Sequence, residues 1–169
     1  PATPYLYPVT FSASAASRGA LRRAARYTVH TGLRSVRVRA DGRLLLNGVP
    51  VNLRGVAIHE DLPGKGPAWT DADRSQAIAQ IKDTGSTLVR SHYPLSPSFQ
   101  EMADRAGLLI WSEVPVYRMN NGYLFASTRR AAVAEVRQNI LDNENHPSVI
   151  IWSIGNELQD RVPVRVRRY

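Results

Sequence analysis

The chain has 169 residues, no cysteine and 43% apolar residues; it can bury an ordinary core, and a disulfide framework or thiolate metal site is excluded. Its longest strongly apolar stretch, Val149 to Ile154, is far shorter than the ~20 residues of a spanning helix, and no charged start with a following apolar run marks a signal peptide. The net charge of +8 loses its nucleic-acid meaning once divided: 12 of the 22 basic residues lie in 18–43 and 161–168, while 44–160 holds 10 basic against 13 acidic ones.

Without interleaved aromatic or groove-reading positions, these arginines read as a solvated surface, so we expect no nucleic-acid partner. We likewise expect no membrane partner and a soluble protein. A proline stands first in place of methionine, from which we expect a truncated N-terminus and leave the cellular location open.

In chain order, the first 50 residues are β-rich. Val36, Val38 and Leu44 to Leu46 alternate or cluster as strands do, and Asn47-Gly48 before Val49-Pro50-Val51 is a two-residue hairpin signal. From Leu53 the rhythm changes to short apolar strands alternating with helix-length segments, the pattern of a parallel sheet with crossover helices.

Leu53 to Ile58 is the first of these strands. A Pro/Gly loop (Leu62 to Ala68) follows, then a helix capped by Thr70 with Asp71 and Asp73 in its first turn and Ile78 and Ile81 on its buried face. Gly85 stops it and Thr87 to Arg90 is the second strand. Ser96-Pro97 starts a second helix, with Phe99, Met102, Ala103 and Ala106 at helical spacing and Gly107 as its C-terminal cap. Leu108 to Trp111 is the third strand. A longer loop reaches Thr128, where Val133, Val136 and Ile140 mark a third helix that ends before His146-Pro147; Val149 to Ile154 is the fourth strand. The fold class is therefore α/β: the first half of a (β/α)8 TIM barrel, about four strands.

In such barrels the chemistry sits at the C-terminal ends of the strands. Those positions hold His59-Glu60-Asp61, Ser91-His92-Tyr93-Pro94, Glu113 and Asn156-Glu157. A single histidine at a strand end is more often structural than catalytic. Four strands delivering polar groups to one rim fit a polyhydroxylated substrate, which offers many hydroxyls to bracket.

Here a resemblance becomes specific. Leu46-Asn47-Gly48, Leu53-Arg54-Gly55-Val56, His59-Glu60-Asp61, Val89-Arg90-Ser91-His92-Tyr93-Pro94, Asp104-Arg105-Ala106-Gly107-Leu108 and the block from Asn145-His146-Pro147-Ser148 to Trp152-Ser153-Ile154-Gly155-Asn156-Glu157 resemble, in order and spacing, the barrel start of family 2 glycoside hydrolases. That family includes β-galactosidases, β-glucuronidases and β-mannosidases. Tyr5-Leu6-Tyr7 and Thr31 to Val36 resemble the last strands of the immunoglobulin-like sandwich that precedes that barrel. The domains implied are 1–40 as sandwich strands, 41–158 as the N-terminal half of the barrel and 159–169 as an unmatched basic tail.

The resemblance implies a retaining β-glycosidase with Glu157 as general acid/base and Asn156 on the sugar 2-hydroxyl. It implies His59 and His92 as contacts to the glycone, and Arg90 and Glu113 as further pocket residues. The partner implied is a carbohydrate, a β-glycoside. In this family the nucleophile is a glutamate on the seventh barrel strand, so the chain is expected to be an inactive fragment on its own. Some relatives bind magnesium through Glu-x-His after the third strand; here that stretch reads Val116-Tyr117-Arg118-Met119-Asn120, so no metal and no cofactor are expected. The competing reading is a non-catalytic carbohydrate-binding or assembly module derived from such an enzyme, and the open barrel edges leave room for self-association.

Overall fold

A computed structural model describes residues 3–17, 20–118 and 125–158, of which 16, 17 and 20–24 by backbone only. The tail expected at 159–169 lies outside the described residues, as do Met119 and Asn120.

The core is a four-stranded parallel sheet, β6 (Gly55–Ala57), β7 (Leu88–Ser91), β8 (Leu109–Glu113) and β9 (Val149–Ser153), in sequential order. Its crossovers carry α1 (Asp71–Asp83), α2 (Pro97–Ala106) and α3 (Ala126–Asn143). The helix starts follow from the sequence. Thr70 and Asp73 form a reciprocal capping box, which leaves the Asp73 carboxyl well below the usual carboxylate range under hydrogen bonds from Lys65 and Thr70. Ser96 caps α2, and Gly107, at φ 66°, closes it in the left-handed conformation that favours glycine.

Alternation along β8 sorts the sheet into two faces. Ile110 joins Val89, Phe99, Ala103, Leu108 and Val149 in the cluster beneath α1 and α2, and Ser112 donates to Asn139 Oδ1 of α3 at 3.1 Å. Leu109 and Trp111 face the other way, with Leu88, Ile150 and Ile151. Against these pack Val36, Leu44 and Leu46 from a small antiparallel sheet of β3 (Val36–Val38), β4 (Leu44–Leu46) and β5 (Val49–Pro50). The Asn47-Gly48 turn behaves as its dipeptide predicts, with φ of 52° and 81° and Leu46 paired to Val49.

The third helix differs from expectation. It begins at Ala126 with no side-chain cap, and its buried positions are Ala132, Asn139 and Asn143. Val133, Val136 and Ile140, whose spacing marked the helix, line a groove with Leu141 and Ile154, and Val136 also packs against Val114, Val116 and Ala132. The inner face is polar because it joins a relay: Gln100 Nε2 donates to Asn143 Oδ1 (2.6 Å), and Asn143 Nδ2 donates to Asn139 Oδ1 (3.0 Å).

Ahead of the parallel sheet, β1 (Tyr7–Ser17) and β2 (Ala20–Thr31) form a long two-stranded antiparallel ribbon. Tyr7, Val9 and Phe11 pair with Thr31, Val29 and Tyr27, so one ribbon face is largely apolar, and Tyr7, Phe11 and Tyr27 on it are exposed. The exit from β2 is tied to the loop before β9. Thr31 Oγ1 donates to the Asn145 carbonyl (2.6 Å), and Arg34 donates to those of Val149 (3.0 Å) and Glu144 (3.3 Å). Asp104, buried in α2, holds the same loop through His146 Nδ1 (2.7 Å) and the Ser148 amide (2.8 Å).

At the opposite end of β9 the chain turns at Gly155. A Cβ there would lie 2.6 Å from the Val116 carbonyl oxygen, a backbone atom that cannot move cheaply. Gly155→Ala is therefore expected to lower the melting temperature of the chain by several degrees, an overpacking cost of about 1–3 kcal/mol, and to shift the amide resonances of Asn156 and Glu157. An unchanged melting curve would contradict the close approach.

Candidate active site

The ends of all four parallel strands meet at one cleft of about 420 Å³, lined by His59, His92, Tyr93, Pro115, Val116, Tyr117, Asn156 and Glu157. β6 delivers His59, which lies against His92 (ring centroids 5.4 Å apart) and Tyr93 (5.8 Å). Its neighbour Glu60 turns away: its carboxylate accepts from the Ser96 amide (2.7 Å) and hydroxyl (2.6 Å) and pairs with Arg74, bracing the start of α2. Its backbone amide donates to the Tyr93 hydroxyl at 2.6 Å.

Behind the cleft wall lies a second layer. Glu113, fully buried at the end of β8, accepts from Arg90 (Nη2, 2.8 Å), Ser153 (Oγ, 2.7 Å) and His92 (Nδ1, 2.9 Å). An ionised carboxylate only accepts, so His92 carries its proton on Nδ1 and keeps Nε2 for another partner. Arg90 also donates to Asn156 Oδ1 at 2.9 Å and stacks over Trp111. Burial raises the Glu113 pKa, but hydrogen bonds from His92, Arg90 and Ser153, together with the charge of Arg90, outweigh it and the net shift is downward. Glu113 was expected to line the pocket. It is not among the residues that line this cleft, and it lies under the Arg90 and His92 side chains that it holds.

Asn156 and Glu157 follow β9. The Asn156 amide donates to the Val116 carbonyl (2.8 Å), and a bridge pairs Asn156 with Tyr117. Glu157 has a positive φ of 48° and Arg118 one of 41°, a conformation non-glycine residues adopt at a cost and often at functional sites. Their side chains form an ion pair, Arg118 Nε donating to Glu157 Oε2, which raises the arginine pKa. No second carboxylate lines the cleft among the described residues. Among the described residues of that stretch, Val116, Tyr117 and Arg118 offer no anionic ligand beside Glu157.

The structure thus joins His59, His92, Asn156 and Glu157 at one cleft, with Arg90 and Glu113 behind it. Sequence reasoning missed Ser153 and Tyr93 as participants, although both stand in the motifs quoted above, and it missed Arg118 as the partner of Glu157. The family described as Glycosyl hydrolases family 2, TIM barrel domain, matches residues 36–165. The chain belongs to this family.

Its relatives in the family are β-glycosidases by name. A β-galactosidase of Photobacterium profundum is 37% identical over 164 residues, which span 92% of this chain and 15% of that one. The β-glucuronidase of Ruminococcus gnavus in complex with D-glucuronic acid is 30% identical with a TM-score of 0.81, covering 95% of this chain and 27% of that one. The β-glucuronidase of Bifidobacterium dentium complexed with coumarin-3-O-glucuronide is 29% identical with a TM-score of 0.84, covering 99% and 27%. The chain spans about 15% of the length of that curated β-galactosidase. No helix among its described residues is long and apolar enough to cross a membrane.

Proposed function

We propose that this chain forms the acid/base half of a retaining β-glycosidase site. The observation that carries the reading is the placement of Asn156 and Glu157 at the end of β9, on a cleft whose other wall bears His59, His92 and Tyr93. Retaining hydrolysis uses two carboxyl groups ~5 Å apart. Glu157 first protonates the leaving oxygen, then takes a proton from the water that releases the glycosyl intermediate. Glu113 cannot be the nucleophile, because its buried oxygens are already taken by Arg90, His92 and Ser153. The nucleophile is assigned to barrel strands beyond β9, and the 169 residues alone are expected to be inactive.

Asn156 is assigned to the sugar 2-hydroxyl, His59 and His92 to the glycone, and Arg90 and Glu113 to holding Asn156 and His92 in place. Residues 1–40 are assigned to the last strands of an immunoglobulin-like sandwich, supported by the apolar ribbon face of Tyr7, Val9, Phe11 and Tyr27, which suits a second sheet. Residues 41–158 are the N-terminal barrel half, and β6 and β9, each paired on one side only among the described residues, are where further barrel strands or a second copy would add.

Mixing the chain with a polypeptide supplying the fifth to eighth barrel strands of a family relative is expected to generate hydrolysis of an aryl β-glycoside that neither piece shows alone. Sugar binding without any turnover in the mixture would favour the non-catalytic module.

A further inference from the structure

Glu157 does not stand alone at the cleft. It is paired with Arg118, whose guanidinium also lies over the Tyr117 ring, 5.1 Å from its centroid. Both side chains are more than half or half exposed, at 62% and 50%, so each is open to a ligand. Both residues hold positive φ, and the Val116 to Asn156 backbone contacts fix the two segments side by side. The juxtaposition is thus set by the backbone rather than by two long side chains meeting by chance.

That pairing conflicts with the acid role. A guanidinium is always charged and engages the Glu157 carboxyl through Nε, whereas a general acid must turn that carboxyl to the leaving oxygen. When Glu157 takes up a proton from solvent, Arg118 loses its anionic partner beside the cleft that Tyr117 and Glu157 line. A carboxylate on the departing group would replace it, forming a charge-assisted, bidentate pair with the same guanidinium. The exchange is balanced: the substrate carboxylate stays ionised and takes Arg118, and Glu157 becomes the neutral acid.

Building on the reading of Glu157 as acid/base, we propose that Arg118 is a specificity-determining residue that selects β-glycosides whose leaving group carries a carboxylate next to the glycosidic oxygen. The substrate class is an acidic aglycone or an acidic sugar on the leaving side. The substrate itself then relieves the Arg118–Glu157 ion pair and frees the Glu157 carboxyl.

The test is an NMR titration of the 169-residue chain with 2-carboxyphenyl and phenyl β-D-galactopyranosides, repeated with the corresponding β-D-glucuronides. Within each series the carboxylated compound should bind about tenfold more tightly. Arg118→Met should erase that difference, and Arg118→Lys should restore part of it. Glu157→Gln, which releases the guanidinium, should enlarge the preference, an effect that a merely structural arginine would not produce. Equal affinities, a preference that survives Arg118→Met, or failure of all four compounds to bind would each overturn the proposal. The last result leaves the glycosidase reading standing, because that is tested separately by reconstituted hydrolysis of a neutral aryl glycoside.

Discussion

Glu157→Gln is expected to lower the turnover of the reconstituted barrel by about 10²- to 10⁴-fold, the usual worth of a positioned proton donor. The loss should depend on the leaving group. A nitrophenolate departs without a proton, so its glycoside should form the glycosyl intermediate almost normally and then stall, because no base remains to activate water. An alkyl glycoside needs the proton to leave and should suffer in the first step. Burst kinetics with the nitrophenyl substrate, together with renewed turnover on adding azide, which attacks without needing a base, would separate this role from a general loss of shape. A change of less than about twofold on both substrates would remove Glu157 from the chemistry.

The second large effect is on stability. Glu113→Ala removes a fully buried carboxylate that holds Arg90, His92 and Ser153 and leaves an arginine unpaired in a half-buried position. Breaking a buried pair in this way costs about 3–5 kcal/mol; with Arg90 30% exposed, water recovers part of that, and a melting point lowered by roughly 10 °C is the expected reading by thermal circular dichroism. Glu113→Gln should cost less because it keeps the shape and one acceptor. The same group predicts acid sensitivity. Its folded pKa lies below its ordinary value, so its contribution is complete above the unfolded glutamate value of about 4.3 and is lost as pH falls through the lower, folded one. The wild-type chain should therefore lose stability below about pH 4.3 more steeply than Glu113→Gln. Identical acid profiles for the two would show that Glu113 is not ionised in the fold.

Much of this architecture was legible because its signals are local. Thr70 with Asp73, Ser96 with Pro97, Gly107 and Asn47-Gly48 each fix a helix end or a turn from two to four adjacent residues. The strand ends of β6, β7, β8 and β9 followed from those boundaries, and with them the residues of the rim. What was not legible depends on distant pairing. The burial of Glu113 requires the β7, β8 and β9 registers that lay Arg90 beside Trp111 and Ser153 beside Glu113. Valine and isoleucine at helical spacing marked α3 but not its buried positions, which include Asn139 and Asn143, where a polar relay reaches Gln100 and Ser112. Arg118 was invisible as a partner of Glu157 since two positive φ angles, not sequence spacing, bring them together.

The ties between Thr31, Arg34 and the 144–149 segment give β9 a fixed footing at the end remote from Glu157. A strand anchored at its foot behaves as a lever: a displacement of the β1–β2 ribbon would be delivered along five residues of backbone to the glutamate at the tip. Evolution is thereby constrained in length as well as in composition. Residues can be exchanged on the ribbon surface, but adding or deleting one between Thr31 and Val36 would slide the anchor and, through β9, displace Glu157.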